Sequence, residues 1–249
     1  MIAPRTFLAS ILFWSLPAAA PLRAETPPRQ EPPMTRILGH RGLSSKHLEN
    51  SLEAFKAALA AGMDGFELDV QPTADAVCHV LHDDDLGRTA QGRGLLRRLK
   101  SSDLPRLRNG EAVPRLSDVL DLPARLINVE LKGEPGWVQA LAAVEAAGAL
   151  DRVIFSSFEH SEVLQLWAAC PEARCGFLWE PDEAADLDAE ALADLPETLT
   201  LHLPLSAVKA RPAFFAPYAK RIALWGLRTP KDAEGLGFAP GILIVDGLD

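Results

Sequence analysis

RILGHRGLSSKHLENSLEAFKAALAAGMDGFELDV, residues 36–70, is the stretch that decides the fold. It opens on RILGHRG (36–42), an apolar run ending in polar residues and glycine, which reads as a strand. In LENSLEAFKAALAAG (48–62), Leu52, Phe55, Leu59 and Met63 just beyond it recur close to a 3.6-residue period, the pattern of an amphipathic helix, and Gly62 is placed to end it. GFELDV (65–70) is a second strand. Two strands joined through a helix run parallel, since parallel neighbours need a crossover of about a dozen residues or more.

The same alternation continues outward. Further strands are expected at LINVEL (126–131), RVIFSSF (152–158), RCGFLW (174–179), TLTLHL (198–203), RIALWGL (221–227) and GILIVDG (241–247). Helical patterns separate most of them, GWVQALAAVEAAG (136–148) being the clearest. Eight parallel strands close a barrel, so the fold class is α/β, a (β/α)8 TIM-type barrel. VCHVLH (77–82) breaks the alternation, because it follows the second strand after only QPTADA. That link is too short for a crossover and implies a hairpin-like return, bringing His82 back toward the barrel mouth. Residues 83–114 then form a polar excursion before a short helix at 116–121. The sequence given stops at Asp249, directly after the eighth strand, so the final helix is expected to be missing.

A chain of 249 residues with 48% hydrophobic content suits one barrel of ordinary size. Its formal charge of −9, with no basic block, argues against a nucleic-acid partner, where neutralising phosphate dominates affinity. The start reads as a signal peptide over 1–24: Arg5, the apolar run FLASILFWSL (7–16), then small residues up to Ala24. That apolar run is short for a membrane span; an uncleaved anchor is the alternative. Cleavage would remove Arg5 and Arg23 and no acid, taking the charge from −9 to −11. Residues 25–35 are a Pro-rich linker, and 36–249 form the barrel domain. A periplasmic or secreted protein with no stable membrane insertion after cleavage is expected. Cys170 and Cys175 are near enough in sequence to bridge; the alternative is that these two and Cys78 are reduced and buried.

The polar residues fall at strand C-terminal ends, the face where barrel sites form. His40, Arg41 and Gly42 end the first strand, and the return segment ends in His82. Glu67 and Asp69, two apart on a strand, point to one side, as do Glu130 and Lys132. Three carboxylates together resist ionising without a cation. All-oxygen ligands suit a hard divalent ion, Mg²⁺ or Ca²⁺. Two histidines beside it supply an acid and a base, while Arg41 and Lys132 suit phosphate oxygens.

Residues 39–94, GHRGLSSKHLENSLEAFKAALAAGMDGFELDVQPTADAVCHVLHDDDLGRTAQGRG, resemble the N-terminal signature of the glycerophosphodiester phosphodiesterase family. That signature runs HRG, P-E-N-T, an amphipathic helix, E-x-D-V, a D-G turn, V-x-x-H-D and R-T-T-x-G. The resemblance continues through NVELKG, the SSF at 156–158, the LW at 224–225 and the VDG near the end. It implies His40 and His82 as the acid–base pair and Glu67, Asp69 and Glu130 as metal ligands. It further implies that Arg41, Lys132, Glu49, Phe158 and Trp225 bind substrate. The implied reaction is metal-dependent hydrolysis of small glycerophosphodiesters to glycerol 3-phosphate and an alcohol, a glycerol hydroxyl attacking phosphorus first. Departures are Leu48 and Ser51 in P-E-N-T, Ala76 in the D-G turn, and Ala90 in R-T-T. A lysophospholipase-D-like or phospholipase-C-like lipid enzyme and an inactive periplasmic binding barrel are the competing readings. Among the other histidines, His47 and His160 are expected to be exposed, and His202 is either core or pocket lining.

Overall fold

The computed structural model describes residues 35–133 and 136–249. The leader, and the linker apart from Thr35, lie outside the described residues.

Strands β1 (Arg36–Gly39), β2 (Gly65–Pro72), β4 (Leu126–Leu131), β5 (Val153–Ser157), β6 (Arg174–Leu178), β7 (Thr200–Pro204), β8 (Ile222–Leu227) and β9 (Ile242–Val245) are all parallel to their ring neighbours. They lie in the order β1-β9-β8-β7-β6-β5-β4-β2, and the β1–β2 pairing closes the ring. Every expected barrel strand is present; β4 has the expected bounds, β2 runs two residues farther, and other ends shift by no more than three residues. Helix α1 (Leu52–Ala60) crosses from β1 to β2; Ser51 caps it by accepting from Ala54 N at 3.1 Å. Helices α2 (Leu116–Leu120), α3 (Gly136–Ala146) and α4 (His160–Ala169) follow the same alternation farther round, as do shorter helical pieces after β6 and β7. Only a single 3-10 turn, Pro230–Ala233, separates β8 from β9. β9 is the last element of the described residues.

The return segment is β3 (Cys78–Val80), antiparallel to β2, with Val70 opposite Val80. At the hairpin tip Ala76 takes φ +60°, the left-handed conformation that glycine adopts freely in a D-G turn. The excursion 83–114 is less polar than its composition implies. Leu81, Leu86, Ala90, Leu96, Leu107 and Val113 form their own buried cluster, which holds a loop poor in regular structure. His79 of β3 ties that strand to the loop, hydrogen-bonded to Val113 O at 3.1 Å and Ser101 Oγ at 2.7 Å.

Alternation along each strand sorts side chains into layers. Outward-facing residues, Phe66 and Phe155 among them, pack under the helices in the main core with Phe55 of α1. Inward, Leu38, Leu126, Ile154, Ala223, Ile242 and Ile244 form a separate apolar plug. Two residues beyond Leu38, Leu126, Ile154 and Ile244 the inward series turns polar, at His40, Asn128, Ser156 and Asp246, and that end is the mouth. Cys78, Cys170 and Cys175 are buried free thiols, so the 170–175 bridge is not formed. His160 is not exposed: it stacks on Phe177 with ring centroids 4.0 Å apart and is bonded to Leu178 O at 2.7 Å. His47 is half-buried beside Glu53, 3.1 Å away.

Candidate active site

β1 delivers His40 to the mouth, where its backbone N–H still bonds to Val245 O at 2.8 Å. The chain then doubles back through Arg41 (φ +56°) and Gly42 (φ +86°). A Cβ at Gly42 would lie 2.6 Å from the Ala54 carbonyl carbon, so only glycine lets this turn pack on α1. The turn aims Arg41 N–H at Glu67 Oε2, 2.9 Å away. Asn50, itself at φ +56°, donates its side-chain amide to Asp69 Oδ2 at 2.8 Å. The segment linking β1 to α1 is thus moulded onto the β2 carboxylates.

Glu67, Asp69 and Glu130 are 3%, 0% and 8% exposed, and one oxygen of each lies within 4.8 Å of the others. Burial, and then the charge of Asp69, raise the pKa of both Glu67 and Glu130. Glu67 Oε1 and Asp69 Oδ1 are buried and receive no hydrogen bond. Such a cluster of three carboxylates, two with an oxygen left unsatisfied, fits a hard divalent cation. The cations present lie to either side. Lys132 Nζ is 2.6 Å from Glu130 and 3.4 Å from Asp69, and Arg41 Nε is 3.2 Å from Asp69. Burial works against the Lys132 charge, but Glu130 and Asp69 outweigh it and raise its pKa.

Each mouth histidine has a carboxylate on Nδ1. His40 meets Asp246 at 2.8 Å and His82 meets Asp83 at 2.6 Å. Such a bond leaves Nε2 as the ring nitrogen available to a ligand. For His40, burial lowers the pKa, yet the Asp246 hydrogen bond and the Glu67 charge prevail and raise it. Gln71 Nε2 faces the carbonyls of Leu81, His82 and Asp83 at 2.9–3.0 Å, which fixes the return segment over β2. Arg88 joins the two sides. It donates to both Glu49 oxygens at 2.7 Å and to both Asp83 oxygens, while Glu49 also receives Arg41 at 2.8 Å.

These groups border a cleft of about 480 Å³. His40, Arg41, Glu67, His82, Glu130 and Lys132 form its polar side, and Phe158 and Trp225 its apolar wall, ring edge to face at 6.1 Å. Trp225 sits at a bulge between Leu224 and Leu227, an irregularity that re-aims side chains. Asp69 lies beneath the cleft, and Glu49 lines an adjoining hollow that shares His40 and Arg41 with Ser44, Ser45 and Arg228. All ten site residues expected from the sequence therefore converge. His202 lies outside the cleft, fully buried, with burial pushing its pKa down to about 3. Sequence reasoning missed Asp246, Arg88, Asn50 and Gln71. VDG, R-T-T and P-E-N-T were visible as signature letters, but nothing local in them says which side chain they reach.

Fold and site together define a (β/α)8 barrel with an acid-rich, cation-fitted cleft at its C-terminal face. Residues 40–236 match the model of the glycerophosphoryl diester phosphodiesterase family, and the chain belongs to that family. It is 32% identical over 163 residues to a glycerophosphodiester phosphodiesterase of Caldanaerobacter subterraneus, a match covering 59% of this chain and 67% of that protein. It is 36% identical over 151 residues to one of Bacillus altitudinis, covering 52% and 60%. The chain thus spans roughly three-fifths to two-thirds of these curated relatives. A Thermotoga maritima glycerophosphodiester phosphodiesterase structure superposes with TM-score 0.71 and 28% identity, over 86% of this chain and 95% of that one. An Oleispira antarctica phosphodiesterase, solved in complex with the product sn-glycerol-3-phosphate, shares the fold at TM-score 0.70 and 22% identity, over 85% of this chain and 92% of that one.

Proposed function

We propose that this protein hydrolyses glycerophosphodiesters to glycerol 3-phosphate and an alcohol, with Mg²⁺ or Ca²⁺ held by Glu67, Asp69 and Glu130. The observation that carries this reading is the carboxylate trio, within 4.8 Å, sharing one cleft with two carboxylate-oriented histidines. Family membership and the named activities of the relatives support it. When bound, the cation supplies charge neutralisation for the phosphoryl oxygens.

The remaining work falls to the chain's own side chains. Arg41 and Lys132 hold non-bridging phosphate oxygens, and Phe158 and Trp225 pack against the carbon skeleton. His40 Nε2 takes the proton of a glycerol hydroxyl as its oxygen bonds to phosphorus. The P–O bond to the alcohol breaks, and His82 Nε2–H protonates the departing alkoxide. Water then opens the cyclic phosphate with the two proton transfers reversed. The Asp246 contact that raises the pKa of His40 also makes it the stronger base once deprotonated.

Turnover of soluble glycerophosphodiesters, with lysolipids and phospholipids as comparison substrates, tests the reading. Chelation is expected to abolish turnover and added Mg²⁺ or Ca²⁺ to restore it; full activity in excess chelator, with no metal retained, would overturn the cation's role. We also propose that residues 1–24 are an export signal. N-terminal sequencing of protein from outside the cytoplasm is then expected to begin near Glu25, and an intact Met1 there contradicts cleavage.

A further inference from the structure

The end of the barrel opposite the mouth has a charge pattern that the proposed reaction does not use. Arg36 and Arg174 are the first residues of β1 and β6, Arg125 immediately precedes β4, and Lys220 and Arg221 immediately precede β8. All five border one hollow of about 290 Å³ at the strand N-termini. The whole chain carries −9, so five cations around a single hollow run against its bulk composition. Arg36 is paired with Asp64 at 2.8 Å, and Arg221 is fixed by donating to the carbonyls of Leu199 and Pro196 at 3.0 and 2.8 Å. Among the described residues, Arg125, Arg174 and Lys220 form no side-chain ion pair. Like charges gathered this way repel one another, and a bound anion relieves that cost.

We propose that this floor hollow is a second anion site, taking a phosphate-bearing ligand. Guanidinium forks match phosphate oxygens in pairs. A single carboxylate would leave most of the charge uncompensated, whereas a phosphomonoester dianion compensates more of it and fits the volume with part of its alcohol. Two of the segments that wall the site are closely packed. Arg36 N–H bonds to Gly241 O at 2.9 Å, and a Cβ at Gly241 would meet Lys220 O at 2.4 Å, so glycine there lets the two segments close. The apolar plug of Leu38, Leu126, Ile154, Ala223, Ile242 and Ile244 lies between floor and mouth, so a ligand here does not reach the carboxylate trio. The phosphate group is the shared chemistry of two sources, a soluble phosphate ester and an anionic lipid headgroup.

Calorimetric titration of the full chain with inorganic phosphate tests the proposal, beside Arg174→Gln/Lys220→Gln and beside Lys132→Gln, which alters the mouth only. The floor variant is expected to lose one binding event or weaken it about tenfold or more, from the loss of two charge-assisted contacts. Lys132→Gln is expected to keep that event. Because Arg174 and Lys220 are exposed, the floor variant is expected to keep the parent's unfolding midpoint; should it not, Lys220→Gln alone is read in its place. Co-sedimentation with phosphatidylcholine vesicles, with and without phosphatidic acid, separates the sources. Phosphate binding without sedimentation assigns a soluble ligand, and sedimentation that the floor substitutions abolish assigns a headgroup. Identical phosphate isotherms for parent and floor variant with no floor-dependent sedimentation, or phosphate heats that chloride at equal ionic strength reproduces, overturn the proposal.

Discussion

Replacing Arg88 with lysine keeps the charge but removes the planar fork that grips Glu49 and Asp83 at once. The Arg88 side chain is 47% exposed, so each of its two ion pairs is screened. Exposed pairs are worth about 0.2–1 kcal/mol each, which puts the stability loss at about 0.5–2 kcal/mol. For a domain of this size that lowers the unfolding midpoint by only a few degrees. The kinetic effect is expected to be larger. Asp83 holds the His82 ring at 2.6 Å and Glu49 holds Arg41 at 2.8 Å, so Arg88 sets the spacing between a proposed proton donor and a proposed phosphate contact. A displacement of about 1 Å at such a site can cost as much as 10²-fold, and Arg88→Lys is expected to lower kcat for a glycerophosphodiester by about 10–100-fold. Steady-state kinetics and thermal unfolding on the same preparation measure the two effects. A lowered midpoint with kcat unchanged from the parent would show that Arg88 braces the loop and does not position the site.

The other predictions concern the two histidines. In Asp246→Asn a neutral amide replaces the charged acceptor that raises the His40 pKa, so the acidic limb of the kcat/KM profile is expected to move to lower pH; an unmoved limb refutes His40 as the group titrating there. The same pair affects stability. Asp246 favours protonated His40, so its contribution is fully present below the unfolded pKa of about 6.5 and is lost as pH rises through the higher folded value. The variant's deficit in unfolding midpoint is therefore expected in mildly acidic buffer and should vanish in alkaline buffer. His40→Ala and His82→Ala are each expected to cost about 10²–10⁴-fold in kcat. A nitrophenyl leaving group, which needs little protonation, should rescue His82→Ala far more than His40→Ala, and equal rescue would contradict the assigned roles.

Much of this architecture is legible in the letters, because the barrel strands are runs of Val, Ile, Leu and Phe bounded by turn residues. The site residues were legible where they sit two apart on one strand, as Glu67 and Asp69 do, since alternation alone places them together. His40 and His82 were found at ends of strand-like runs. What escaped depends on closure in space. Asp246 is 206 residues from His40, and only the β1–β9 pairing brings them together. Asn50 reaches Asp69 through a left-handed backbone turn that its residue type permits but does not require. Residues 83–114 read as polar because their buried leucines follow neither a helical nor a strand period; a cluster assembled from irregular backbone leaves no periodic trace. His160 was misjudged because helix-start residues are usually wet, whereas the aromatic rings of β6 and the residue after it enclose this one.

The joint between β1 and β9 also sets an order of events during synthesis. Of the described strands, β1 leaves the ribosome before the others, and its neighbour on one side, β9, follows all of them. Until then the nascent chain exposes an unpaired edge, and His40 has no Asp246 to orient it. Joining segments so far apart, in parallel pairing, is a slow kind of step in folding. The carboxylates of β2 and β4 are neighbours well before that moment, yet His40 gains its orienting carboxylate only when β9 has docked.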